Sequence, residues 1–173
     1  MSGSAKNDSR VGGPCITVGD DVNTDVVIPG RYLITIDPDE LAEHAFEPMG
    51  PEFQTRLYAS KVVVAGENFG CGSAREQAAT CLLGAGVEAV VAKTFAREFF
   101  RNAINNGLLA VESPQAVEVV SDDDEVWIDY EAGTVEAAGE SFPFEPYPTV
   151  MRNILEAGGI IPYLAASLEE VSG

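Results

Sequence analysis

The stretch Gly66–Arg75, Gly-Glu-Asn-Phe-Gly-Cys-Gly-Ser-Ala-Arg, limits the fold more than any other part of this chain. The apolar run Lys61-Val-Val-Val-Ala65 before it reads as a buried strand, and a helical pattern follows from Ser73 to about Gly84. A strand, a tight glycine turn and a helix start, in that order, form a unit of an α/β sheet. Gly66, Gly70 and Gly72 permit positive φ and leave backbone N–H groups uncovered. A helix start adds orphan N–H groups and the positive end of the helix dipole. Such a turn suits a carboxylate or a phosphate. Arg75, expected in the first helical turn, can grip a carboxylate with a bidentate fork. Ser73 falls at the junction, where a hydroxyl is open to strong polarisation. The same letters carry a purely structural alternative: Ser73-Ala-Arg-Glu76 matches a capping box, in which Ser73 caps the helix and Glu76 reaches back to it. Two nucleotide fingerprints fail here. No Gly-Lys-Ser/Thr closes the loop, and a dinucleotide loop starting at Gly70 needs glycine where Arg75 stands.

Charge and cysteines narrow the function classes. The formal net charge is −18, which argues against nucleic acid and against anionic membranes as partners. After Arg101 the one basic residue is Arg152, while acids include Asp122-Asp-Asp-Glu125. Such an excess fits a halophilic cytoplasm, where salt screens self-repulsion. Cys15, Cys71 and Cys81 are odd in number and widely spaced. They form neither a metal knuckle nor a disulfide framework, and they suit a reducing cytoplasm. No run is long enough to span a membrane, and the polar N-terminus lacks the apolar core of a secretory signal. A length of 173 residues suits one domain, expected over residues 14–173 behind a flexible tail at residues 1–13.

The remaining chain reads as alternating elements. Pro14–Val18 predicts a first strand, and Gly19–Asp25 a turn rich in Asx residues. Val26–Gly30 is short and broken by proline. Asp37-Pro38 starts a helix with Leu41, Ala45 and Phe46 on its apolar stripe, and Glu52–Tyr58 is a second short helix. Glu88–Ala92 and Leu108–Val111 read as strands on either side of a helix at Phe95–Asn106. The alternation argues for a parallel or mixed sheet. Glu125–Asp129, Thr134–Ala137 and Glu140–Phe144 read as a β-rich insert, and Pro148–Ala157 as a final helix.

The order of motifs then becomes specific. Gly19-Asp-Asp-Val-Asn-Thr-Asp25, Pro29-Gly-Arg-Tyr-Leu33, Gly66–Glu76, Ala92-Lys-Thr-Phe-Ala-Arg97 and Arg101–Leu108 follow one another. This series resembles the small subunit of 3-isopropylmalate dehydratase, equivalent to the swivel domain of aconitase, over about residues 14–165. The resemblance implies an α/β fold of three layers, a swivelling β/β/α domain with a mixed sheet and flanking helices. It implies a hydro-lyase that interconverts 2-isopropylmalate and 3-isopropylmalate by dehydration and rehydration in leucine biosynthesis. A [4Fe-4S] cluster on a separate large subunit serves that family as Lewis acid. This chain is expected to carry no cofactor, to pair with that large subunit as a heterodimer or heterotetramer, and to be inactive alone. Related readings are a homoaconitase or methylmalate-type small subunit, or a non-catalytic anion-binding domain.

The resemblance also assigns roles. The family's catalytic base falls on Ser73, its substrate-carboxylate arginine on Arg75, and its active-site aspartate on Asp25, which otherwise reads as an Asx-turn residue. Gly72 and Ala74 complete the turn, with Ala74 replacing the family's second serine. Ile34 and Thr35 stand where relatives specific for tricarboxylates place an arginine. An uncharged wall there suits an isopropyl group over homocitrate. Lys93, Arg97 and Arg101 read as a solvated or interface face, and His44 as a surface or packing residue.

Overall fold

The computed structural model describes residues 9–172. Its centre is strand β1 (Arg10–Thr17), which pairs differently along its two halves. Arg10–Pro14 run antiparallel to β5 (Glu125–Asp129), while Cys15–Thr17 run parallel to β2 (Val62–Ala65). From β2 the sheet continues in parallel through β3 (Ala89–Ala92) to β4 (Leu109–Glu112). From β5 it continues antiparallel through β6 (Thr134–Ala137) to β7 (Glu140–Pro143). The seven-stranded order is β4-β3-β2-β1-β5-β6-β7. The stretch expected to be an insert therefore extends the main sheet along the free edge of β1.

Side-chain alternation explains the layers. Ile16, Val63, Ala65, Val90, Ala92 and Ala110 face a core made with helices. That core includes Leu41 of α2 (Pro38–Ala42), Leu82 of α4 (Glu76–Gly84) and Phe99 of α5 (Arg97–Asn105). The alternate residues Cys15, Val62, Val64, Val91 and Val111 face a second core with Val126, Ile128, Val135 and Phe142 of the antiparallel half. The sheet thus curls over itself, giving antiparallel strands, parallel strands and helices as successive layers. Both faces of β2 and β3 are buried, which is why these strands read as unbroken apolar runs. Burying each Val or Ile in this way contributes roughly 1.5–3 kcal/mol.

Several expectations need correction. The tail was expected to reach Gly13, yet Arg10–Gly13 lie in β1, because they pair with β5; residues 1–8 lie outside the described residues. The helix expected from Ser73 starts at Glu76. The chain reaches its parallel bridge at Cys71 and then needs four residues to turn into helical geometry. Helix α2 ends at Ala42, and Ala45 and Phe46 are buried beyond it, Phe46 in a left-handed conformation. Val26 and Val27 belong to α1 (Thr24–Val27), with Asn23 as its cap. Helix α3 spans Pro51–Tyr58 and α7 spans Thr149–Ala157. Two helices escape sequence reading. In α6 (Pro114–Val119) Ala116 alone is buried, so no apolar stripe announces it. In α8 (Ile160–Ser172) Pro162 reads as a breaker, but in the first turn its missing N–H costs nothing. Among the described residues, no helix is long and apolar enough to cross a membrane.

Candidate functional site

The site is built at the carboxyl ends of the parallel strands, where open α/β sheets gather ligand-binding loops. The loop after β1 and the glycine turn after β2 are laced by backbone bonds. Gly70 N–H donates to the Val22 carbonyl at 2.8 Å, and Thr24 N–H to the Cys71 carbonyl at 2.9 Å. Asn23 and Cys71 form an isolated parallel bridge. Next along, Phe69 bridges Phe95 in the loop after β3. Sheet pairing therefore continues past the strand ends and fixes the turn that carries Ser73.

Thr24 then holds that turn by a side chain. It is 1% exposed, and its hydroxyl donates to the Ser73 carbonyl at 2.8 Å. Asn23 accepts the Asp25 amide at 2.8 Å, which caps α1 and orients Asp25. Gly72 has φ +91, and a Cβ there would sit 2.6 Å from the amide atoms of Asn23. This position needs glycine both for its backbone and for room. Gly66 differs from the expectation: it has no positive φ, and its reason is the Asp20 carboxylate, 1.9 Å from where a Cβ would lie.

The capping-box arrangement does not form. The residue flanking α4 is Arg75, in extended geometry, and no side chain among the described residues caps that end. Gly72, Ser73 and Ala74 are exposed, and the Ser73 hydroxyl makes no hydrogen bond to a described residue. Arg75 lies against the turn, its side chain 14% exposed. Its Nη1 donates to the Ile28 carbonyl at 3.1 Å and pairs with the Asp25 carboxylate. Nη2 lies beside Gly30, where a Cβ would come within 3.6 Å of it. Asp25, Gly72, Ser73, Ala74 and Arg75 are thus one cluster: a free hydroxyl, an uncapped helix end and a guanidinium already holding a carboxylate. These elements favour negative charge at one place.

Ile34 and Thr35 stand on the adjoining loop. Tyr32 anchors it by stacking on His44, with centroids 3.6 Å apart, and by donating to Glu47 at 2.9 Å. That bond, with those from His44 and Arg31, holds the Glu47 carboxyl below its ordinary value. Arg31 is thereby tied to Glu47 and lies over the Tyr32 ring. Thr35 donates to Glu40 at 2.7 Å, whereas Ile34 is 96% exposed. Ile34 does not pack into the core. Thr24 and Asn23 are the positioning residues that sequence reading passed over, and their one signal was the Asx-rich turn around Asp25.

The thiols do not gather. Cys15 and Cys81 are buried and Cys71 is half-buried. Burial, helped by Asp124, Asp122 and Asp123, pushes the Cys15 thiol up to about 12, and burial also raises that of Cys81. Among the described residues, no group of three or more His, Cys, Asp or Glu is arranged to hold a metal ion.

Comparison with known proteins settles the family. The aconitase C-terminal domain family matches residues 30–116. The 3-isopropylmalate dehydratase small subunit of Moorella thermoacetica is 47% identical, over 91% of this chain and 96% of that protein. The chain belongs to the 3-isopropylmalate dehydratase small-subunit family. Within this family, the crystal structure of 3-isopropylmalate dehydratase from Methanocaldococcus jannaschii superposes with a TM-score of 0.85, at 39% identity, over 95% of this chain and 99% of that one. The 2,3-dimethylmalate dehydratase small subunit of Eubacterium barkeri is 43% identical over 90% of this chain and 96% of that protein. The small-subunit names describe one subunit of a heteromeric enzyme.

Proposed function

We propose that this chain is the small subunit of a heteromeric hydro-lyase that interconverts 2-isopropylmalate and 3-isopropylmalate in leucine biosynthesis. The observation that carries the reading is the free Ser73 hydroxyl on a rigid turn, beside Arg75 and an uncapped helix end. In this reading Ser73 is the base that removes the proton from the carbon next to a substrate carboxylate. Serine is a poor base in water, so its alkoxide needs stabilisation. The N-terminal amides of α4 and the Arg75 charge supply it. Arg75 binds the carboxylate, and Asp25 keeps the guanidinium in place before substrate arrives. Gly72 and Ala74 leave the approach to Ser73 open. Ile34 and Thr35 face the variable group of the substrate, where an apolar wall suits isopropyl.

The scattered cysteines do not fit an iron–sulfur cluster, so the [4Fe-4S] cluster belongs in this reading to the large subunit, and this chain alone is inactive. The exposure of Ser73 supports that division, because a site open on one side needs a partner to exclude water. The dimethylmalate relative keeps a methylmalate-type substrate as the second reading. We place the enzyme in a cytoplasm, and the charge of −18 in a salt-rich one. The test is anaerobic reconstitution with the iron–sulfur large subunit and side-by-side assay of isopropylmalate, dimethylmalate, homocitrate and citrate. The highest kcat/KM is expected for isopropylmalate. A higher value for dimethylmalate would favour the second reading, and turnover by this chain alone would contradict both.

A further inference from the structure

A second concave feature lies at the same end of the sheet, beside the ends of β3 and β4. It is a cleft of about 490 Å³ between the start of α5 and the segment after β7. Its walls combine three kinds of group. Arg97 and Arg101, one helical turn apart, line one side. Phe95, Phe100, Phe144 and Tyr147 supply ring surface, with neighbouring centroids 6.0–6.3 Å apart. Glu112 and Glu145 add carboxylates.

The charges are unusual for this chain. It carries 28 acidic and 10 basic Lys and Arg residues, so two cations on one cleft wall form a local concentration of positive charge. Arg10, Arg31, Arg56, Arg75 and Lys93 each pair with a carboxylate. Arg97 and Arg101, like Lys61 and Arg152, form no ion pair among the described residues, although two carboxylates line the same cleft as Arg97 and Arg101. Glu112 uses one oxygen to accept the Phe95 amide at 3.1 Å. The Tyr147 hydroxyl is buried and has no hydrogen-bond partner among the described residues. A buried hydroxyl left unpaired costs stability, and the Tyr147 ring, not its hydroxyl, is what faces the cleft.

We propose that this cleft binds a free α-amino acid with an apolar side chain. The carboxylate sits between Arg97 and Arg101. The ammonium faces the free oxygen of Glu112 and the Glu145 carboxylate. The side chain lies among the four rings. A dianion would meet the two carboxylates, and a plain cation would meet the two guanidiniums. A zwitterion complements all four charges, and the cleft volume lies in the range of small-molecule sites. The site is separate from Ser73 and does not depend on the hydro-lyase reading.

Isothermal titration of the isolated chain with L-leucine and L-phenylalanine tests this, with 4-methylpentanoate and isoamylamine as probes lacking one charge each. Binding of at least one amino acid at millimolar concentration or better is expected, with both half-probes weaker by about tenfold or more. Arg97→Gln and Arg101→Gln should each weaken binding by a similar factor while keeping the wild-type Tm. Absence of binding by both amino acids, an unchanged Kd in the arginine variants, or 4-methylpentanoate binding as well as leucine would each overturn the proposal. So would loss of large-subunit capture in the arginine variants when the wild type binds no amino acid; that result would assign the face to the subunit contact.

Discussion

The parallel and antiparallel halves of the sheet share β1 but divide the labour. The parallel half ends in loops that are bonded to one another beyond the strands, and those loops carry Asp25, Ser73 and Arg75. The antiparallel half ends in short reverse turns and contributes Val126, Ile128, Val135 and Phe142 to the second core. Parallel strands must be joined by long crossovers, so their ends have chain to spare for a site. Hairpin strands turn back at once and have none. Both halves build the cores, while the loops that carry the proposed site belong to the parallel half, and substitutions can separate folding from the proposed chemistry.

Ile128→Ala should show the largest effect on folding. Ile128 is fully buried in β5, and truncation there costs about 2–5 kcal/mol. Chemical denaturation measures the loss, while kcat of the reconstituted, folded enzyme should stay near wild type. A collapse of kcat with stability intact would break the division. Thr24→Val should cost less, about 1 kcal/mol, by stripping the Ser73 carbonyl of its bond. Unlike Ile128→Ala it should also reduce turnover, because it loosens the turn that aims Ser73. Molar potassium chloride is expected to raise Tm by screening the charge of −18. An unchanged Tm from dilute to molar salt would contradict a halophilic origin.

The smallest effect concerns the seam between the halves. Asp122 sits just before β5 and bonds the Thr17 amide at 2.7 Å and hydroxyl at 2.8 Å, and it pairs with Arg56. Partial burial pushes its carboxyl upward, but Thr17 and Arg56 outweigh that and lower it below its ordinary 3.8. A depressed carboxyl stabilises the fold fully above its unfolded value and loses that contribution as pH falls through the folded one. Asp122→Asn should therefore lower Tm slightly at neutral pH and flatten its decline in acid below 3.8. An equal decline in wild type and variant would show that Asp122 does not couple the halves.

Legibility differed between the halves as well. Val62–Ala65 and Ala89–Ala92 stood out because burial on both faces leaves unbroken apolar runs. Glu125–Asp129 and Thr134–Ala137 stood out because one buried face gives alternation. That the last three strands join the edge of β1 could not be read, since pairing between distant strands leaves no local mark. At the site, the glycines and Ser73 were visible as a motif. The helix start was not, because Ser73 and Glu76 satisfy the capping-box pattern while the bridge at Cys71 decides the path of the chain. Thr24 was equally hidden: its role depends on a carbonyl 49 residues away.

The most direct test of the account is Ser73→Ala, assayed for kcat with the large subunit and for Tm on the same preparation. Loss of a positioned base should lower kcat by about 10²–10⁴-fold, with little change in KM and an unchanged Tm, because the Ser73 side chain caps nothing. A Tm lowered as for a lost helix cap, about 1 kcal/mol, with kcat intact, would contradict it.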